Sequence, residues 1–294
     1  MISEWIGWIL ASSVFLAFYD LAKKASVREN AVLPVLLLAT IAGGLAYVAA
    51  LGVAGGVGAA LQVSARDFAL IGVKSVIVST SWVFTYCALR TLPITIATPI
   101  RASSPALVFI VAFFLYGEHP SFVQGLGMLL VFAGYWAFSW AGKHEGIDFL
   151  RSHAVWFAVG GMCMSALSSL WDKFILQRCA IPVETVQFWF QLGLMAIYAV
   201  LLCIQRGLRL SHDTFTWRWS IPATGILLAA ADWLYFHGLA IPDVSISVGS
   251  LMRRFSVVIT FVLGAVLFHE RNLKRKGLAL AAILAGVALL CVKG

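Results

Sequence analysis

Ten runs of about twenty mostly apolar residues fill the chain, near positions 3–22, 32–53, 68–89, 94–116, 122–141, 153–175, 184–204, 219–239, 244–267 and 273–292. At about 1.5 Å of rise per residue, a helix of that length crosses the hydrocarbon layer of a bilayer. The stretches between the runs are mostly short, so the pattern predicts ten membrane helices with no room for a soluble domain. The first run, Trp5 to Phe18, has no basic segment before it and no clear cleavage site, and is read as a retained span.

Within the runs, polar residues recur at helical spacing. Gly249, Arg253, Ser256 and Thr260 share one stripe, as do Thr98, Arg101 and Pro105, then Ser165, Ser168, Ser169 and Asp172, and more weakly Ser12, Ser13 and Asp20. A polar stripe on an apolar helix must face protein or water rather than acyl chains, so these four spans are expected to line one interior. Pro93 and Pro242 open the fourth and ninth runs, where a first-turn proline is tolerated. Pro99 and Pro105 lie inside the fourth and should bend it.

The second half repeats the first about 152 positions later: Ser13 answers Ser165, Asp20 answers Asp172, Arg101 answers Arg253, Glu118 answers Glu270 and Gly134 answers Gly286. Charged residues make up 12% of the chain, too few for Asp, Arg and Glu to fall in step by chance inside apolar runs. Residues 1–145 and 150–294 are therefore read as two copies joined by a polar linker, 142–148. Each copy holds five spans, an odd number, so the second enters the membrane from the opposite face. The expected fold is all-α and polytopic, with ten transmembrane helices as two inverted five-helix repeats, a plan that suits alternating access to a central site.

Composition narrows the classes. The chain is 61% hydrophobic, with a mean hydropathy of +0.93, which excludes a soluble globular protein and makes the lipid bilayer its first partner. A net charge of +8 raises nucleic acid, but the basic residues sit at span ends, as with Lys23, Lys24, Arg28, Lys274, Arg275 and Lys276, and read as topology signals and headgroup contacts. Their bias favours both termini outside by the positive-inside rule. The five cysteines are scattered, without metal or CxxC spacing. No cofactor is expected, and with no nucleophile and base, metal set or nucleotide loop, neither is an enzyme.

The candidate chemistry is buried charge. Arg101 lies about eight residues into its span, roughly 12 Å from the helix end, and Arg253 is placed alike. An isolated charge there costs from about 2.5 to more than 10 kcal/mol, so each needs an acid, backbone carbonyls or an aqueous cavity. Two pseudo-symmetric guanidiniums can clamp an anion, or can pair with Asp20, Asp172 or Asp232. Asp232 with His237 five residues on suits a proton relay, and equally the counter-ion of an arginine. Asp20 and Asp172 have Lys24 and Lys173 close by, which favours local ion pairs. Trp82, Tyr86, Trp171 and Trp233 are candidates for an apolar substrate pocket, with Ser256 beside them.

At these residues the chain resembles the drug/metabolite transporter superfamily, EamA type. The resemblance is carried by two copies of a span, a short acidic turn and a span: Ala97 to Gly134 with Gly117-Glu118, and Val248 to Gly286 with His269-Glu270. His269 departs from the Gly-Glu of the family turn. The resemblance implies a ten-helix membrane protein that exports or exchanges small metabolites, often against protons, with both termini in the cytoplasm, contrary to the charge bias. The expected protein is thus a secondary transporter, monomer or homodimer, in a bacterial inner membrane. Its substrate is a small anionic or amphipathic metabolite bound by Arg101, Arg253, Trp82, Tyr86, Trp171, Trp233 and Ser256, with Asp232, His237, Asp172 and Asp20 as coupling candidates. The alternatives are a transporter of cationic or aromatic solutes, with the arginines structural, and a flippase for lipid-linked substrates.

Overall fold

The computed structural model describes residues 4–102, 104, 107, 122–143, 150–175, 179–208, 213–240, 253, 255–270 and 272–290. Pro105, Gly117, Glu118, linker residues 144–148, Pro242, Gly249 and Arg254 lie outside these. The described residues form eleven helices and no strand: α1 (Glu4–Val27), α2 (Val32–Val53), α3 (Val57–Leu61), α4 (Ala65–Thr91), α5 (Ile94–Ala102), α6 (Phe122–Lys143), α7 (His153–Lys173), α8 (Val183–Gly207), α9 (Ser220–Ala240), α10 (Phe255–Leu267) and α11 (Leu273–Leu290). All but α3 fall on the apolar runs. Five of them, α1, α2, α4, α7 and α8, are long and apolar enough to cross a membrane.

The starts of these helices follow local chemistry. Ser64 accepts from the Asp67 amide at 3.1 Å and Ser152 from the Val155 amide at 3.4 Å, N-capping α4 and α7. Many large apolar side chains face outward. Leu129, Trp136, Val266 and Leu278 are each about two-thirds exposed or more, a surface that suits acyl chains and would aggregate in water.

The interior is built by exchange between the halves. Helix α1 packs on α9 and α7 on α4; α2 packs on α9 and α8 on α4; α1 packs on α10 and α7 on α5. Shifting every partner by one half maps each contact onto another in the set. Three contacts, α2 with α8, α5 with α10 and α6 with α11, map onto themselves. The α6–α11 crossing shows this atom by atom. A Cβ on Gly134 would lie 2.9 Å from the Ala279 carbonyl oxygen and 3.1 Å from the Ile283 amide, and one on Gly286 would lie 2.6 Å from the Gly127 oxygen and 2.8 Å from the Val131 amide. Residues 127 and 131 stand to 279 and 283 as Gly134 stands to Gly286. Reciprocal contacts of this kind are what a two-fold axis produces. Serine hydroxyls tie two of the pairs: Ser12 donates to the Ala231 carbonyl of α9 at 2.7 Å, and Ser81 of α4 to the Gly161 carbonyl of α7 at 2.9 Å.

Candidate functional site

A buried cluster of charges lies where α1 meets α5. Asp20 receives two cations: Lys23, one turn on, at 2.5 Å, and Arg101, whose terminal nitrogen reaches both carboxylate oxygens at 2.8 and 2.9 Å. The side chains of Asp20 and Lys23 are 2% and 1% exposed, whereas that of Arg101 is 26% exposed. Lys23 also sits over the Tyr19 ring, 4.3 Å from its centre. The sequence reading placed Lys23, Lys24 and Lys276 among headgroup contacts, and the structure corrects this, since all three are buried. It also corrects the partner of Asp20, because Lys24 instead donates to the Leu89 and Leu92 carbonyls at 2.6 Å each, closing the end of α4.

The second half pairs the equivalent residues differently. Asp172 is bound by Lys74 of α4, which also lies over the Phe190 ring. Arg253 binds Asp232 of α9 and stacks on Tyr235 at 4.3 Å, with its Nε buried and without a hydrogen-bond partner. Asp232 is thus an arginine counter-ion; the side chain of His237 lies outside the described part. Tyr19, under the Lys23 ammonium, and Tyr86 line one pocket next to the Asp20 group.

Beside Tyr19 opens a narrow pocket, lined among others by Thr40, Trp82, Tyr86, Gln191 and Thr224, well short of the volume of a ligand pocket. Gln191 places its carbonyl oxygen in the interior with no hydrogen-bond partner among the described residues. Of the expected aromatic set, Trp82 and Tyr86 line this pocket. Trp171 does not: its indole donates to the Leu70 carbonyl at 3.1 Å and packs on Phe174, in a separate apolar cluster with Ile71 and Ile175. Trp233 is 44% exposed and meets Trp8 edge-on. Ser256 is buried in α10. Gln191 and Thr40 were missed by the sequence reading, and only their polarity within apolar runs could have found them.

One end of the bundle is tied shut. Arg218, before α9, donates to the Ala25 and Arg28 carbonyls at 2.6 and 2.7 Å, and Asn30 exchanges two hydrogen bonds with the Thr216 backbone. Arg90 at the end of α4 grips Asp213 through two bonds of 2.7 and 2.6 Å. At this same end Glu270 does what no residue next to α5 can do, because Pro93 precedes that helix. Its carboxylate accepts from the Ile94 amide at 2.7 Å, the Thr95 amide at 3.3 Å and the Thr95 hydroxyl, capping from the other half the helix that carries Arg101.

Glu270 is aimed there by the end of α10. The Glu270 amide returns to the Ala265 carbonyl at 3.0 Å and the His269 amide to Val266 at 3.4 Å, a Schellman closure with His269 at φ 51°. Glycine takes that left-handed conformation freely and histidine does not. His269→Gly is expected to raise stability by about 1 kcal/mol, read as a higher unfolding midpoint in detergent; an unchanged or lower midpoint contradicts it.

No curated protein matches the chain. A solved structure described only as "Crystal structure of protein" is similar over 97% of this chain and 96% of its own, with a TM-score of 0.65 at 18% identity, a likeness of fold. The model of the EamA-like transporter family matches residues 3–140, which contain Asp20, Lys23, Arg101 and the α6 crossing. Over residues 3–140 the chain is thus similar to the EamA-like transporter family of membrane proteins.

Proposed function

We propose that the protein is a secondary transporter, exporter or exchanger, of a small anionic or amphipathic metabolite, working by alternating access between two inverted five-helix repeats, 1–145 and 150–294. The reciprocal packing of the halves supports the repeats, and the closed end with partly exposed charges beyond it suits one limb of such a cycle. The observation that carries the anionic reading is Arg101, buried among helices, bound to an acid that already has another cation, and still a quarter exposed. Arg101 and Arg253 supply the positive field, while Tyr19, Trp82 and Tyr86 shape the apolar part.

The exposure of Asp172 and Asp232, 34% and 33% at the side chain, favours a second reading in which a cation is carried. Thermal stabilisation by a panel of metabolites identifies a ligand, and counterflow of that ligand into proteoliposomes separates the two. Arg101→Met is expected to abolish counterflow and Asp232→Asn to leave it measurable. The opposite ranking makes the substrate a cation and the arginines structural.

A further inference from the structure

We infer that the ligand held at the exposed part of Arg101 carries a single net negative charge, and that Lys23 is the positioning residue that frees Arg101 to hold it. The inference rests on the anionic reading above and narrows it. Among the described residues, the groups ion-paired at Asp20 comprise one carboxylate and two cations, Lys23 and Arg101, while Asp232 and Arg253 form a neutral pair of their own. The cluster is thus one positive charge in excess. A monoanion brings it to neutrality; a dianion leaves a buried negative charge, and a neutral ligand leaves the excess uncompensated.

The excess is located at Lys23. When an incoming carboxylate takes the exposed face of Arg101, Asp20 keeps Lys23 at 2.5 Å, so no acid is stranded. Arg253 has no such freedom, because among the described residues Arg253 is itself the cation bound to Asp232 and its departure would leave that acid alone. The position equivalent to Lys23 in the second half is Ile175, and Asp172 is served from α4 by Lys74. The two halves therefore differ at this point, and the exchangeable guanidinium is the one in the first.

The test uses the purified full chain in detergent at constant ionic strength, with thermal unfolding measured against benzoate and nitrate as monoanions, malonate and sulfate as dianions, benzamide and benzylammonium. The best monoanion is expected to bind roughly tenfold or more tighter than the best dianion. Lys23→Met, which makes the cluster neutral, should weaken that binding by about tenfold or more, Lys23→Arg should keep it, and Asp20→Asn with Lys23→Met, which restores the single excess charge, should regain it. A dianion preference, unchanged monoanion binding in Lys23→Met, or a folded double variant that does not bind overturns the inference while leaving the anionic reading in place. Stabilisation by benzamide or benzylammonium alone overturns both, as does stabilisation by none of the probes. If Lys23→Met does not fold, the double variant decides, and if neither folds, the wild-type ranking of monoanion over dianion decides.

Discussion

Asparagine in place of Asp20 is expected to destabilise the protein by about 3–5 kcal/mol, the range for removing one partner of a buried charge pair. The loss belongs at the upper end because two cations depend on this one carboxylate. Lys23 and Arg101 would face each other with the acid neutralised, and Lys23, 1% exposed, has no route to water. Adding Lys23→Met removes the stranded cation and should recover more than about half of the loss, so the two substitutions are strongly non-additive. Denaturant or thermal unfolding of the four proteins in one detergent gives the coupling directly. A single-variant loss below about 1 kcal/mol would mean that water reaches the pair and that the cluster is not buried in the working protein.

Alanine at Glu270 is the second large effect, expected at about 3 kcal/mol or more. The substitution leaves the first amides of α5 without their acceptor, worth about 1–2 kcal/mol for a cap, and removes the carboxylate that lies 3.6 Å from the fully buried Lys276. Glutamine keeps acceptor capacity at the cap but not the charge, and should fall between wild type and alanine. Since Arg101 lies two turns further along the same helix, transport should fall further than stability alone explains. Counterflow per folded molecule checks that clause; full transport in folded Glu270→Ala would show that the cap does not set the position of Arg101.

Spans were legible because length and hydropathy alone decide whether a helix can cross a membrane, and residues 32–53 were read with the bounds that α2 has. The five-residue α3 was not legible, since Val57–Leu61 continues an apolar stretch without a pattern of its own. That Arg101 and Arg253 need acids was legible from depth. Which acids was not, because spacing along a helix says nothing about the helix that packs across from it. Asp20 had a local signal that went unused: Lys23 is three residues on, on the same face, yet its place near the span end suggested headgroups. Trp171 was assigned to the pocket with the other aromatics, and its indole hydrogen bond to Leu70 puts it instead in a structural cluster. Glu270 was visible only as half of a turn motif. Its role depends on a Schellman closure and on a helix start 176 residues earlier.

Alternating access of the kind proposed requires the two halves to cross the membrane in opposite senses. The turns after α1 and α7 each hold an exposed residue with positive φ, Glu29 at 53° and Ala180 at 51°, and these turns correspond in the two copies. Single cysteines at Glu29 and Ala180, in a background freed of the native cysteines, can be labelled with a membrane-impermeant maleimide in sealed vesicles of one orientation. Opposite orientation of the repeats predicts that one of the two sites reacts before the vesicles are opened and the other only afterwards. Reaction of both sites from the same side contradicts the inverted repeats, and with them the shared chamber between the halves.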